Sequence, residues 1–157
     1  MEAYFDNSAT TIVTDSVKDI VVKTMTEDFG NPSAMHMVGV KAEKYIKEAQ
    51  ENIAKILKVD PKEIFFTSGG TESNNMAIIG TAMANKRKGN KIITTSVEHS
   101  SVLATMKYLE EQGFEVIYLP VDRYGVVQME ALEKEMTEDT ILVSTMYVNT
   151  EVGAIEP

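Results

Sequence analysis

Short apolar runs alternate with amphipathic stretches along most of this chain, and that alternation constrains its fold more than any other feature. Four runs have the length and composition of strands, at residues 64–67, 91–95, 114–119 and 140–146. Helical patterns lie between them, at residues 71–88, 100–112 and 128–136. Strands that alternate with helices are typical of a mostly parallel sheet with right-handed crossovers. We therefore predict an α/β fold whose strands are covered by helices on both faces.

The N-terminal part has a different pattern, with two helices and no strand. The first is predicted over residues 14–29, with Val17, Ile20 and Val21 on one face. The second, over residues 34–57, carries a long apolar stripe at helical spacing. Gly39 would cost this helix about 1 kcal/mol relative to alanine, so glycine disfavours its first turn. The sequence predicts an N-terminal helical segment over residues 1–60 and an α/β domain over residues 61–157.

Composition excludes several classes of protein. The 157 residues include 24 acidic and 15 basic side chains, and the formal charge of −9 argues against binding to nucleic acid or to an anionic membrane. There is no cysteine, which excludes a thiolate zinc site and a cysteine nucleophile within these residues. His36 and His99 are too far apart for a helical zinc motif, and we predict no metal site. With neither a signal peptide nor an apolar run of about 20 residues, we expect a cytoplasmic protein.

A glycine-containing turn, Ser68-Gly69-Gly70, precedes the helix predicted from residue 71. Free backbone N–H groups and the positive end of a helix favour a phosphate there, and Thr71 or Ser73 can add a hydroxyl donor. The alternative is an ordinary tight turn in which Thr71 caps the helix. The spacing fits neither a P-loop nor a dinucleotide fingerprint, so a plain nucleotide-binding domain is disfavoured.

Two further polar groups follow predicted strands. His99 can act as an acid or base or stack on a flat ring, or it can simply be held by local hydrogen bonds at a helix start. Asn149 offers a donor and acceptors, or it is a turn residue before Gly153. Because ligands of parallel sheets bind at the carboxyl ends of the strands, the turn, His99 and Asn149 predict a site for a phosphorylated planar cofactor. Lys86, Lys88 and Lys91 are predicted at the opposite edge.

Five motifs occur in order along the chain. They are Asp6-Asn7-Ser8-Ala9-Thr10-Thr11, Gly30-Asn31-Pro32-Ser33 with His36 and Gly39, Phe66-Thr67-Ser68-Gly69-Gly70-Thr71-Glu72-Ser73-Asn74-Asn75, Glu98-His99-Ser100-Ser101-Val102 and Val148-Asn149-Thr150-Glu151-Val152-Gly153. Together they resemble the pyridoxal-phosphate-dependent cysteine desulfurases of the class V aminotransferase superfamily. The similarity is greatest to the branch that serves iron–sulfur cluster assembly and nitrogen fixation.

The resemblance implies the N-terminal part of a pyridoxal-phosphate fold type I large domain, with small-domain and substrate-side elements in residues 1–60. Gly70 and Thr71 would bind the cofactor phosphate. His99 would stack on the pyridine ring and transfer protons, and Asn149 would bind the ring's phenolic oxygen. The substrate side would be lined by Asn7, Ala9, Asn31 and His36.

The implied reaction converts L-cysteine to L-alanine and transfers the sulfur to a thiolate cysteine as a persulfide. The implied partners are a sulfur-acceptor or scaffold protein and a second copy of the chain in a homodimer. Chains of the family are more than twice as long, and their Schiff-base lysine and acceptor cysteine lie beyond the position that matches Pro157. We therefore expect a fragment that is inactive alone and binds the cofactor weakly or not at all.

Two alternatives remain open. One is a related class V enzyme, such as a selenocysteine lyase or an aminotransferase, because the motifs present distinguish these activities weakly. The other is a non-catalytic binding or scaffold fragment that keeps a weak phosphate site or pairs with a separately encoded C-terminal half.

Overall fold

The structure is a computed structural model that describes residues 3–157. The chain divides into two compact units, the first ending at Phe66 and the second spanning Thr67–Pro157. The helices are α1 (Asp15–Thr26), α2 (Met37–Leu57), α3 (Gly70–Asn85), α4 (Ser100–Glu111) and α5 (Met129–Glu135), with a 3₁₀ turn at Pro61–Glu63. The strands are β1 (Lys91–Thr95), β2 (Glu115–Leu119) and β3 (Thr140–Ser144). Among the described residues no helix has both the length and the apolar character that crossing a membrane requires.

In the first unit, a buried aspartate connects the end of α1 to α2. Asp28 pairs with Lys41 at 2.5 Å and accepts a hydrogen bond from the Tyr45 hydroxyl at 2.5 Å. The Lys41 ammonium, then the Tyr45 hydroxyl, lower the pKa of the Asp28 carboxyl below its usual value. The carboxylate is thus held in its ionised form by two residues of α2.

The first turn of α2 requires glycine at position 39. The helix starts at Met37, where His36 is the N-cap and its Nδ1 accepts a hydrogen bond from the Gly39 N–H at 3.3 Å. A Cβ atom on Gly39 would lie 2.2 Å from the carbonyl oxygen of Ala34. Gly39 therefore allows the preceding loop to pack against the helix, which is a role that its low helix propensity did not indicate.

The second unit is built on a parallel sheet with the strand order β2-β1-β3. On one face, Ile92 packs with Ala82 of α3 and with Met106 and Leu109 of α4. On the other face, Ile93 and Leu119 pack with Val127 and, from α5, Leu132. The predicted parallel sheet, covered by helices on both faces, is confirmed.

The prediction of a strand at residues 64–67 is wrong, and the sheet has three strands within residues 3–157, where four were expected. This segment has no regular structure, and Phe65 and Phe66 are 70% and 53% exposed. The carbonyl of Ile64 instead accepts a hydrogen bond from Gln50 Nε2 at 2.9 Å. An apolar run shows local β propensity, but a strand forms only where a neighbouring strand satisfies its backbone groups.

Candidate functional site

The start of α3 presents unpaired backbone donors to solvent. Gly69 precedes the helix as its N-cap, and no side chain caps this end. Within the described residues, the backbone N–H groups of Gly70, Thr71 and Glu72 donate to no protein atom. The alternative in which Thr71 caps the helix is therefore wrong, because Gly69 occupies the cap position. A helix start with free donors is suited to an anion.

Two hydroxyl groups near this helix start are in different situations. The Ser73 hydroxyl is hydrogen-bonded to the Thr67 hydroxyl at 2.7 Å, and Thr67 also lies 3.1 Å from the carbonyl oxygen of Gly69. The exposed Thr71 hydroxyl has no hydrogen bond to any described residue. Of the two predicted hydroxyl donors, Thr71 is the one free to bind a ligand.

Glu72 brings a negative charge to the same turn. One of its carboxylate oxygens accepts hydrogen bonds from the Ser68 hydroxyl at 2.6 Å and from the Ser68 N–H at 2.7 Å. The hydroxyl first, then the N–H, lower the pKa of Glu72 below its usual value. The carboxylate stabilises the turn and is held on Ser68. The pairing of Glu72 with Ser68 was not predicted from the sequence.

His99 lies after β1, as predicted, and is the N-cap of α4. Its Nδ1 accepts a hydrogen bond from the Ser101 N–H at 3.1 Å and lies 2.9 Å from Ser101 Oγ. The residue is exposed. The alternative prediction, that local hydrogen bonds hold His99 at a helix start, is therefore correct for Nδ1 only. Nε2 makes none of these bonds and is free for a ligand.

Asn149 lies after β3 and is buried. Its Oδ1 accepts hydrogen bonds from the N–H groups of Glu151 and Val152, as a turn residue does. Its Nδ2 donates to the carbonyl of Val97 at 3.2 Å. An amide nitrogen carries two hydrogens, so one donor remains for a ligand.

Glu98 forms a second connection between the loops after β1 and β3. Its Oε1 accepts hydrogen bonds from the Thr95 hydroxyl at 3.0 Å and from the Met146 N–H at 2.7 Å. The two loops border an open cavity of about 520 Å³, lined in part by Glu98, Arg123 and Asn149. The role of Glu98 was not predicted, although a charged residue three positions after the last residue of a buried strand was a usable signal.

The second unit places the predicted groups on neighbouring elements. Asn74 of α3 donates to Ser101 of α4, which also contacts His99, and the loop carrying Asn149 is bonded to the loop before His99. His99 and Asn149 follow strands as predicted, whereas residues 64–67, directly before the glycine turn, form no strand.

The three lysines predicted at the opposite edge of the sheet lie away from the carboxyl ends of the strands. Lys86 is the C-cap of α3, at the end opposite Gly70, and its Nζ donates to the carbonyl of Gln112 at 3.2 Å. Lys91 is the first residue of β1, so it lies at the amino end of that strand. Lys88 follows α3 in the turn before β1.

The four residues predicted for the substrate side belong to the first unit, where their recorded contacts are local. Asn7 accepts from the Thr11 hydroxyl, and the N–H of Ala9 donates to the carbonyl of Asp6. Asn31 accepts from the Ser33 N–H at 2.9 Å, and His36 caps α2. Their role toward a substrate stays a prediction.

Comparison with known proteins gives the same family along the whole described chain. Residues 3–157 match the family described as aminotransferase class-V. A relative from Archaeoglobus fulgidus, named cysteine desulfurase IscS 1, is 48% identical over 154 residues, which are 98% of this chain and 40% of that protein. The solved structure of a NifS-like protein is 48% identical with a TM-score of 0.94, covering 100% of this chain and 43% of the other. A structure described as SspA in complex with cysteine is 39% identical with a TM-score of 0.90, covering 98% and 44%.

These similarities confirm the predicted resemblance and fold. The chain spans about 40% of the length of the curated relatives it matches, which are named cysteine desulfurases, and corresponds to their N-terminal part. Its α/β fold is that of the N-terminal part of the NifS-like structure. The chain therefore belongs to the aminotransferase class-V family.

Proposed function

We propose that this chain is the N-terminal part of a pyridoxal-phosphate-dependent cysteine desulfurase. The observation that carries the proposal is the grouping, within one unit, of the uncapped start of α3, the Nε2 of the exposed residue His99 and the spare amide hydrogen of Asn149. These are the donors that a phosphorylated pyridine ring requires. Relatives named cysteine desulfurase, about half identical along this chain, support the same activity.

The phosphate end of the cofactor fits the start of α3. The free N–H groups of Gly70 and Thr71 and the Thr71 hydroxyl would bind the phosphate oxygens. A Cβ atom built on Gly69 or Gly70 meets nothing within 4 Å, so the approach is open. The helix dipole stabilises an anion here by about 0.3–1 kcal/mol at an exposed site. The negative charge of the Glu72 carboxylate disfavours a bound anion at the same helix start. The two hydrogen bonds from Ser68 hold this carboxylate on the turn.

The ring end fits His99 and Asn149. His99 would stack on the ring and hold or transfer a proton at Nε2, since its Nδ1 is already hydrogen-bonded to Ser101. Asn149 would donate its second Nδ2 hydrogen to the phenolic oxygen of the ring. When bound, pyridoxal phosphate supplies an electron sink for the bond cleavage at the substrate.

The proposal requires two groups that these residues do not supply at the site. The chain contains no cysteine, so the thiolate that accepts sulfur would come from outside it. Its lysines near the sheet lie at the opposite edge, so the Schiff-base lysine would also come from elsewhere. The proposal includes L-cysteine as substrate, a sulfur-acceptor or scaffold protein, and a homodimer. It also includes a cytoplasmic location, where thiols remain reduced.

A chimaera tests the proposal. This chain would replace the matching N-terminal part, 40% of the length, of the Archaeoglobus fulgidus relative. The chimaera, loaded with pyridoxal phosphate, is expected to form L-alanine and release sulfide from L-cysteine with a reductant. A folded, cofactor-loaded chimaera that leaves L-cysteine unchanged would overturn the proposal. Turnover of L-selenocysteine alone would indicate a selenocysteine lyase, and amino transfer without sulfide would indicate an aminotransferase.

A further inference from the structure

A row of hydrogen bonds runs from α3 through α4 to the ring of His99. Asn74 Nδ2 of α3 donates to Ser101 Oγ of α4 at 2.9 Å. Ser101 Oγ lies 2.9 Å from His99 Nδ1, and the Ser101 N–H donates to the same nitrogen at 3.1 Å. Ser101 is 8% exposed, so the row is shielded at its centre. From it we propose that Asn74 and Ser101 are positioning residues, which keep neutral His99 in the tautomer with its proton on Nε2.

The direction of each bond follows from the donors. A backbone N–H can only donate, so His99 Nδ1 accepts and carries no proton. In a neutral imidazole the proton is then on Nε2, because the hydrogen bond at one ring nitrogen sets the state of the other. Ser101 Oγ accepts from Asn74, which leaves the hydroxyl hydrogen free to donate to Nδ1. Each donor in such a row polarises the next.

A parallel connection between the two helices does not reach the histidine. Asn75 Oδ1 accepts a hydrogen bond from the Thr105 hydroxyl at 2.7 Å, and that hydroxyl also lies 2.8 Å from the carbonyl oxygen of Ser101. Asn74 and Asn75 are thus adjacent amides that both join α3 to α4, but only Asn74 is bonded to the hydroxyl beside His99. Substitutions at Asn74 and Asn75 can therefore distinguish an effect on the His99 ring from an effect on the packing of α3 against α4.

The significance of the tautomer rests on the proposed function. At the cofactor site, the Nε2–H of His99 would be the group that donates a proton to the substrate side. Fixing the proton on that nitrogen in advance prepares the ring for donation.

The tautomer is measurable in the chain without cofactor or substrate. Long-range ¹H–¹⁵N correlation spectra of the ¹⁵N-histidine-labelled chain distinguish protonated from unprotonated ring nitrogens, and His36 and His99 are the two histidines to resolve. For neutral His99 the expected result is an unprotonated Nδ1 and a protonated Nε2. Asn74→Asp replaces the amide donor with a carboxylate of similar shape, which can only accept. The Ser101 hydroxyl would then donate to this carboxylate and no longer to His99 Nδ1. The resonance of His99 Nδ1 in the Asn74→Asp variant should move in the same direction as it does in the Ser101→Ala variant.

Asn75→Asp is the matched control, because it adds the same charge at the neighbouring position and contacts Thr105. It is expected to leave both His99 nitrogens at their unsubstituted shifts, while an unchanged far-ultraviolet circular dichroism spectrum in all three variants reports an intact fold. A proton on Nδ1 in the unsubstituted chain would overturn the inference. An Nδ1 resonance that stays in place in a folded Asn74→Asp or Ser101→Ala variant would overturn it as well. Neither result depends on whether the chimaera forms L-alanine, so failure here is distinguishable from failure of the proposed function.

Discussion

Asn149 Nδ2 donates a hydrogen bond to the carbonyl of Val97 at 3.2 Å and so joins the loop after β3 to the loop after β1. The two strands are neighbours in the sheet, and Glu98 makes a second connection between the same loops. The position of Asn149 is therefore coupled to that of His99, two residues beyond Val97. The amide of Asn149 can combine this structural role with the proposed ligand-binding role, because it has more donors and acceptors than the turn uses.

Asn149→Ala should destabilise the second unit. The substitution removes three hydrogen bonds from a buried position and leaves the carbonyl of Val97 without its partner. We expect the free energy of unfolding to fall by about 1–3 kcal/mol. Asn85→Ala is the control, since Asn85 makes one side-chain bond, to the carbonyl of Thr81, and should cost about 1 kcal/mol or less. Urea unfolding measures both, and equal losses would contradict the account.

Two glycines in helices should respond to alanine in opposite directions. Gly39→Ala places a Cβ atom 2.2 Å from the backbone oxygen of Ala34, so it should destabilise the start of α2. Gly80→Ala has no atom within 4 Å and should raise helix stability by about 0.5–1 kcal/mol. Thermal unfolding followed by circular dichroism distinguishes the two. A stabilising Gly39→Ala would show that the preceding loop does not pack as described.

The buried Asp28 predicts a dependence of stability on pH. Its pKa is lowered in the folded state by Lys41 first and Tyr45 second. Because this pKa is lower in the folded state than in the unfolded chain, where it is about 3.9, the ionised carboxylate stabilises the fold at pH values above about 3.9. This stabilisation is lost as the pH falls through the folded-state pKa. Asp28→Asn should therefore lower Tm at pH 7 and reduce the loss of Tm on acidification below about pH 4.

The exposed Asp19 provides the control for the charge removed. It lies 3.8 Å from Lys18, with 75% of its side chain exposed, and Asp19→Asn should change Tm little. The interpretation fails if Asp28→Asn and Asp19→Asn have the same Tm as the unsubstituted chain at every pH from 3 to 7.

The start of α3 predicts unequal roles for two hydroxyl groups. Thr71→Val removes a free hydroxyl from the proposed phosphate site, whereas Ser73→Ala removes one already bonded to Thr67. A hydrogen bond to a charged group contributes about 1.5–3 kcal/mol, so Thr71→Val should raise the Kd of the chimaera for pyridoxal phosphate about tenfold or more. Ser73→Ala should change it by less than about twofold. Equilibrium titration followed by absorbance measures both values, and the reverse order would move the phosphate contact to Ser73.

Local patterns were sufficient for much of the fold. The strand at Lys91–Thr95 was predicted at its observed bounds, because an apolar run between two helices has few alternatives. Residues 64–67 looked equally apolar and form no strand, since pairing depends on which neighbour is present. His99 and Asn149 were placed correctly after their strands by the polar groups that follow apolar runs.

Contacts between distant elements could not be predicted in the same way. Asn74 and Ser101 are separated by 27 positions, and their hydrogen bond exists because α3 and α4 pack side by side. The close approach of Gly39 to Ala34 likewise depends on the path of the loop. Residue type alone indicated a weak helix start at Gly39, whereas the fold makes glycine necessary there.

The rate of L-alanine formation by the His99→Gln chimaera tests the central claim most directly, that this chain provides the acid–base group of a cysteine desulfurase. The comparison is with the unsubstituted chimaera, at equal loading of pyridoxal phosphate and saturating L-cysteine. Because general acid–base catalysis contributes about 10²–10⁴-fold, kcat should fall by about that factor. A kcat within about twofold of the unsubstituted value would contradict the assignment of His99.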